Sequence, residues 1–153
     1  MTFQNLLPTP IISLAEGGKF NVYVAPDAIE LVSLLGNEFT SYYDELGFDW
    51  KRLAGAKIVE VEGKGAYDYV DYLASTQAGN FLDHGIRVNS VFTGYRIVGS
   101  DWSQGFGLFA GRDFPDQDHL TMSVIRVGSQ KAEKVQVPFY AVYLGDPFTD
   151  GAS

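Results

Sequence analysis

The sequence predicts an α+β fold with strand hairpins toward both ends, two main helices and a long insertion before the second hairpin. Three observations carry the prediction. Apolar side chains alternate in "IISLAEGGKFNVYVA", from residue 11, and in "LTMSVIRVGSQKAEKVQVPFYAVYL", from residue 120, which is the period of half-buried strands. Between these runs they recur at spacings of three and four, the period of a helix with one buried face. In "IVEVEGKGAYDYVDYLAS", residues 58 to 75, one period gives way to the other across two glycines.

Pro8 and Pro10 punctuate the start, and the first alternating run folds back at Glu16, Gly17 and Gly18 into a hairpin. Pro26 and Asp27 suit the first turn of a helix, where a missing N–H costs nothing and a carboxylate meets the positive end of the dipole. Ile29, Val32, Leu35, Phe39, Tyr43 and Leu46 then form a single stripe; Gly36 is placed to bend it and Gly47 to stop it. Val59 and Val61 alternate with Glu60 and Glu62 as a strand, and Gly63 and Gly65 reverse the chain at positive φ. Ala66, Tyr69, Val70, Leu73 and Ala74 share one face of the helix that follows, with Asp68, Asp71 and Ser75 opposite.

Residues 76 to 118 are rich in glycine and aromatics and read as an insertion with small elements of its own, including a short helix in "DHGIRVNSVFTGY" capped by Asp83. The second hairpin pairs Leu120 to Val127 with Lys134 to Leu144 around a polar Gly-Ser turn.

Composition bounds the function. One domain spanning 1 to 153 is expected, and 46% hydrophobic residues place the chain among folding sequences. Nineteen acidic against eleven basic side chains give a net charge of -8, which disfavours nucleic acid and anionic membranes as partners. There is no cysteine, so no disulfide framework, thiolate metal site or thiol nucleophile arises. The opening "MTFQNLLPTP" lacks the basic and apolar regions of a secretory leader, and no window approaches a membrane span. The end at "PFTDGAS", just after a strand-like run, reads as a cut inside a longer protein.

Candidate chemistry is thin. His84, beside Asp83 and followed by Ser90, tempts a Ser-His-Asp reading, but triads are assembled across a fold, and no Gly-x-Ser-x-Gly elbow occurs. The expected roles are an Asp83 helix cap and a locally satisfied His84. "DFPDQDH" gathers Asp113, Asp116, Asp118 and His119, yet lacks the glycine and distal carboxylate of a calcium loop in register. With only His84 and His119 in the chain, zinc is weaker still, and neither metal nor cofactor is expected. "GFGLFAG", 105 to 111, does not stand between a strand and a helix as a dinucleotide fingerprint must. In "ELGFDW", "LGF" reads as a helix stop and a core aromatic rather than a loop receiving a peptide carboxylate. Tyr67 and Tyr72 lie off the apolar stripe of their helix, where exposed aromatics invite a partner.

The order "KIVEVEGK", "AYDYVDYLAS", "LTMSVIRVGSQKAEKVQVP" resembles the back half of the PDZ-like module of C-terminal processing serine peptidases. With "GNFLDHGIRVNSVF", "FPDQDHLTMSVIRVGS" and "VPFYAVYLGDPFTDGAS", the chain from about Leu6 onward is similar to the internal region of fungal members related to the chlamydial protease-like activity factor. The resemblance implies a PDZ-like, partly open β-barrel or sandwich lying between the segments that bear the catalytic histidine and serine of the parent protease. Neither catalytic segment is recognisable here, so no catalytic residue carries over, and extracellular localisation is implied by the family alone. The long insertion and the lack of a carboxylate loop depart from the usual PDZ pattern.

A PDZ-like groove lies between a sheet edge and a helix, where a peptide adds as a strand. Residues 66 to 74 are the candidate helix, with Tyr69, Leu73 and Tyr72 as candidate peptide-binding residues. The expected function is therefore a noncatalytic peptide-binding or regulatory module of a serine endopeptidase, its partners a peptide segment and the protease's catalytic domain. A structural or assembly module burying exposed aromatics against another subunit is the alternative, and a small hydrolase using His84 with Asp83 or Asp116 is a third. A groove marks the first, a broad apolar patch the second and a deep pocket around His84 the third.

Overall fold

Strict alternation makes the best-defined strand: in His119–Ile125 the side chains of Leu120, Met122 and Val124 point into the core while their neighbours stay partly open. Around it the computed structural model describes residues 3–5, 11–16, 19–24, 43–92, 94–105, 107–110, 116–139 and 141–143. In chain order the strands are β1 (Phe3–Asn5), β2 (Ile11–Glu16), β3 (Lys19–Val24), β4 (Lys57–Val61), β5 (Lys64–Gly65), β6 (Gly94–Val98), β7 (Asp101–Gly105), β8 (His119–Ile125), β9 (Ala132–Pro138) and β10 (Ala141–Tyr143). The helices are α1 (Ala66–Thr76) and α2 (His84–Val91), with 3-10 turns at Trp50–Leu53 and Leu108–Ala110.

The architecture is mixed helix and sheet. The main sheet is antiparallel, open rather than closed, and runs β2-β3-β4-β8-β9, with β5 added beside β4. Helix α1 packs on β3 and β4, and α2 packs on α1. Val22, Val24, Leu53, Ile58, Val61, Val70, Leu73, Met122, Val124 and Val137 fill the core between helix and sheet. The expected β2–β3 hairpin forms with Glu16 opposite Lys19; Gly17 and Gly18 lie outside the described residues.

Most of the expected helix at 27 to 46 also lies outside them, but its end is visible. Tyr43–Glu45 is helical, Gly47 takes φ +67, and the N–H groups of Gly47 and Phe48 bond to the carbonyls of Asp44 and Tyr43 at 3.1 and 2.9 Å. That is a Schellman stop, closed by the Tyr43 and Phe48 rings at 5.4 Å. The Tyr43 hydroxyl donates to the Pro138 carbonyl at 2.9 Å, tying the stop to β9.

Four expectations are corrected. In β4 the buried pair is Ile58 and Val61, not Val59 and Val61, because the β4–β8 register shifts between Ile58 and Glu60. Val59 is the extra residue of a bulge and turns outward. At the corner, Glu62 (φ +48) and Gly63 (φ +76) take positive φ, whereas Gly65 is the helix N-cap at φ -50. Two residues with positive φ match the right-handed strand twist of a two-residue hairpin. The short helix of the insertion ends at Val91, with Phe92 extended, and the following residues enter the β6–β7 hairpin. Finally, the last strand is two: proline has no N–H to continue the ladder, so β9 stops at Pro138, and β10 pairs with β1.

Candidate functional site

Helix α1 buries Ala66, Val70, Leu73 and Ala74, which leaves aromatics along both flanks of its core face. On one flank Tyr67 stacks on Phe20 of β3, ring centroids 5.8 Å apart and nearly parallel. On the other, Tyr69 meets Phe109 of the second 3-10 turn edge to face at 5.5 Å. Tyr72 lies 6.3 Å from Tyr69 on the outer surface, with the Lys64 ammonium 5.4 Å from its ring. Burial raises the Tyr69 pKa above the usual tyrosine value, helped by the nearby Glu62 carboxylate and Tyr72.

The three candidate peptide-binding residues thus occupy different environments. Leu73 is 4% exposed and belongs to the core. Tyr69 is half-buried against the insertion, and Tyr72 is the one that solvent reaches freely. Sequence reasoning missed Tyr67 and Phe20 as a pair, because one comes from a helix and the other from a strand far upstream. The signal was faint: Phe20, Val22 and Val24 share the face of β3 that α1 covers, and Phe20 remains 60% exposed at its end. Beyond β3, β2 forms one edge of the described sheet.

His84 is held from another direction. Its Nε2 lies 2.7 Å from Asp71 Oδ1 on α1, while Asp83 Oδ1 accepts the Ile86 N–H at 2.9 Å as the cap of α2. The Ser90 hydroxyl donates to the Arg87 carbonyl at 2.6 Å. The geometry therefore gives Asp83 the capping role and turns Ser90 to its own helix backbone; His84 and Asp71 form an exposed tie between α1 and α2.

In the acidic stretch, Asp113 lies outside the described residues. His119 Nδ1 is 2.7 Å from Asp118 Oδ1, and its Nε2 is 3.0 Å from the Gln136 amide nitrogen. A proton on Nδ1 satisfies both contacts, since a carboxylate only accepts and the amide nitrogen only donates. Among the described residues no group of three or more histidine, aspartate or glutamate side chains converges as a metal would require. No helix among them is long and apolar enough to cross a membrane.

Within "GFGLFAG", Gly107 has a steric role. A Cβ on Gly107 would stand 2.1 Å from the carbonyl oxygen of Val91, so the glycine lets this segment press against the end of α2. Comparisons with protein-family models, curated proteins and solved structures find no match for this chain.

Proposed function

We propose that this chain is a noncatalytic, PDZ-like peptide-binding or regulatory module that works beside the catalytic domain of an extracellular serine endopeptidase. The observation that carries the reading is that α1 lies on β3 and β4, and that the strand beside β3 is β2, an edge of the described antiparallel sheet. Edge strands offer unpaired backbone groups, and a neighbouring helix supplies the second wall of a groove in which an extended peptide adds as a strand. The Tyr67–Phe20 stack and the exposed Tyr72 ring offer aromatic contact on either side of α1.

Hydrogen exchange with and without a pool of unstructured peptides tests the proposal. Peptide should slow exchange at β2 amides and leave β9 unaffected. Tyr67→Ala should weaken binding, and Tyr72→Ala should weaken it only where the peptide crosses the outer face of α1. Failure of any peptide to protect β2 would count against the groove. Cleavage of the pool that His84→Ala abolishes would replace this reading with a hydrolase.

A second reading, an assembly module, draws on the start of α2. Leu82 is 99% exposed there, and Phe81 and Ile86 are close to half exposed. Apolar side chains together on a surface suit burial against a partner subunit, and a concentration-dependent mass that falls on Leu82→Asp would favour this reading.

A further inference from the structure

We propose that a cleft between the Trp50–Leu53 turn and the β8–β9 turn binds a small dianionic oxyanion, carrying phosphoryl or carboxylate groups. The cleft has a volume of about 450 Å³ and is lined by Lys51, Arg52, Arg126, Gly128, Ser129 and Glu133, among others. In a chain of net charge -8, three of the eleven basic side chains meet here with one carboxylate. Concave walls lined by one sign of charge focus the field and raise the local concentration of the opposite ion.

Arg126 anchors the site. Its Nε donates to Glu133, while its Nη1 is buried with no hydrogen-bond partner. A buried guanidinium nitrogen lacking an acceptor carries the desolvation cost without the bond that offsets it. The planar fork of arginine matches the paired oxygens of phosphate and carboxylate; the Arg126 side chain is 20% exposed, so an oxyanion in the cleft can reach it, and a small shift of the guanidinium gives the buried Nη1 the acceptor that it lacks. The backbone holds Arg126 in place: Gly128 takes φ +79, and the Ser129 N–H bonds to the Arg126 carbonyl at 3.0 Å, closing a tight turn.

Lys51 and Arg52 supply adjustable charge. The Lys51 ammonium lies 5.5 Å from the centre of the Trp50 ring, and Arg52 is 3.8 Å from Asp49 in an exposed ion pair. Exposed pairs of this kind are weak, so Arg52 can leave Asp49 for a ligand at little cost. The lining keeps a surplus of two positive charges over Glu133, or of one with Asp49 counted beside Arg52, and cations come from both walls of the cleft, so each charge of a dianion has a partner. The site is independent of the peptide groove and does not rest on it.

Titration of the full chain with inorganic phosphate, and separately with succinate, followed by two-dimensional amide NMR, tests the site. Sodium chloride at matched ionic strength is the control. Saturable shifts are expected at residues 51 to 54 and 126 to 133 with phosphate or succinate and not with chloride. A response to phosphate alone assigns a phosphoryl ligand, and a response to succinate alone assigns a dicarboxylate. Lys51→Gln with Arg52→Gln, both at exposed positions, should weaken binding at least about tenfold, tenfold being the loss of one charge-assisted contact and two such contacts being removed. Arg126→Lys, which keeps the charge and loses the fork, should weaken it as well. No saturable shift with either anion, or equal affinity in the double variant, overturns the proposal.

Discussion

Glu62 and Thr121 exchange two hydrogen bonds: the Glu62 N–H donates to the Thr121 carbonyl at 2.9 Å, and the Thr121 N–H donates to Glu62 Oε1 at 2.6 Å. The same Glu62 takes positive φ, a conformation that non-glycine residues occupy at a cost. Its side chain fastens the strained corner to β8, so replacing it should reveal the bond. Glu62→Ala should lower unfolding stability by about 1–3 kcal/mol, the penalty of a part-buried donor left without an acceptor. Glu62→Gln, which keeps an oxygen in place, should retain most of the stability. Equal losses in urea unfolding would show that the acceptor is not what matters.

The two glycines of the corner should respond differently to alanine. Gly63 has open space around it but φ +76, so Gly63→Ala should cost about 1 kcal/mol in backbone strain. Gly65 has an ordinary φ, and the nearest obstacle to a Cβ is the movable Asp68 carboxylate, so Gly65→Ala should cost less. Since Gly65 caps α1 with no side-chain hydrogen bond, Gly65→Ser should raise the melting temperature slightly, by a few tenths of a kcal/mol in stability. Thermal unfolding of the three variants provides the ranking.

Gly107→Ala should be more damaging than either Gly63→Ala or Gly65→Ala. The new atom would meet the backbone of Val91 and Phe92, which cannot swing aside as a side chain can. A loss of about 1–3 kcal/mol or more is expected from overpacking. Circular dichroism during denaturation measures it, and wild-type stability would mean that the close approach relaxes freely.

Alkaline stability tests the Tyr69 environment. Burial, then Glu62 and Tyr72, raise the folded-state pKa, so the folded protein holds the phenol proton more tightly than the unfolded chain. The sign follows: this contribution is full below the unfolded tyrosine pKa of about 10 and is lost as pH rises through the folded value. Tyr69→Phe should flatten the fall in melting temperature above about pH 10 relative to wild type. Parallel curves for the two proteins would contradict the burial.

Local signals announced local structure. The β4-to-α1 corner could be read because period two and period 3.6 meet there, and the Asp83 cap because a short polar side chain precedes the helix. The Val59 bulge could not, since two residues opposing one on β8 is a property of the partner strand's register. Pro138 could have signalled the split of the last strand, but choosing β1 as the partner of β10 requires knowing where the distant start of the chain lies. The site divided in the same way. Tyr72 was legible as off the helix stripe, whereas the Phe20–Tyr67 stack and the meeting of Lys51, Arg52 and Arg126 depend on long-range folding.

Because Phe3–Asn5 lies antiparallel to Ala141–Tyr143, the described chain enters and leaves the domain side by side. Such a unit can sit in a surface loop of a host protein as a cassette, without forcing the host's two loop ends apart. It also makes the domain a good subject for circular permutation. Joining the two termini and reopening the chain at the exposed Gly99–Ser100 turn would leave β1–β10 and the main sheet covalently continuous, with the β6–β7 pair held by hydrogen bonds alone.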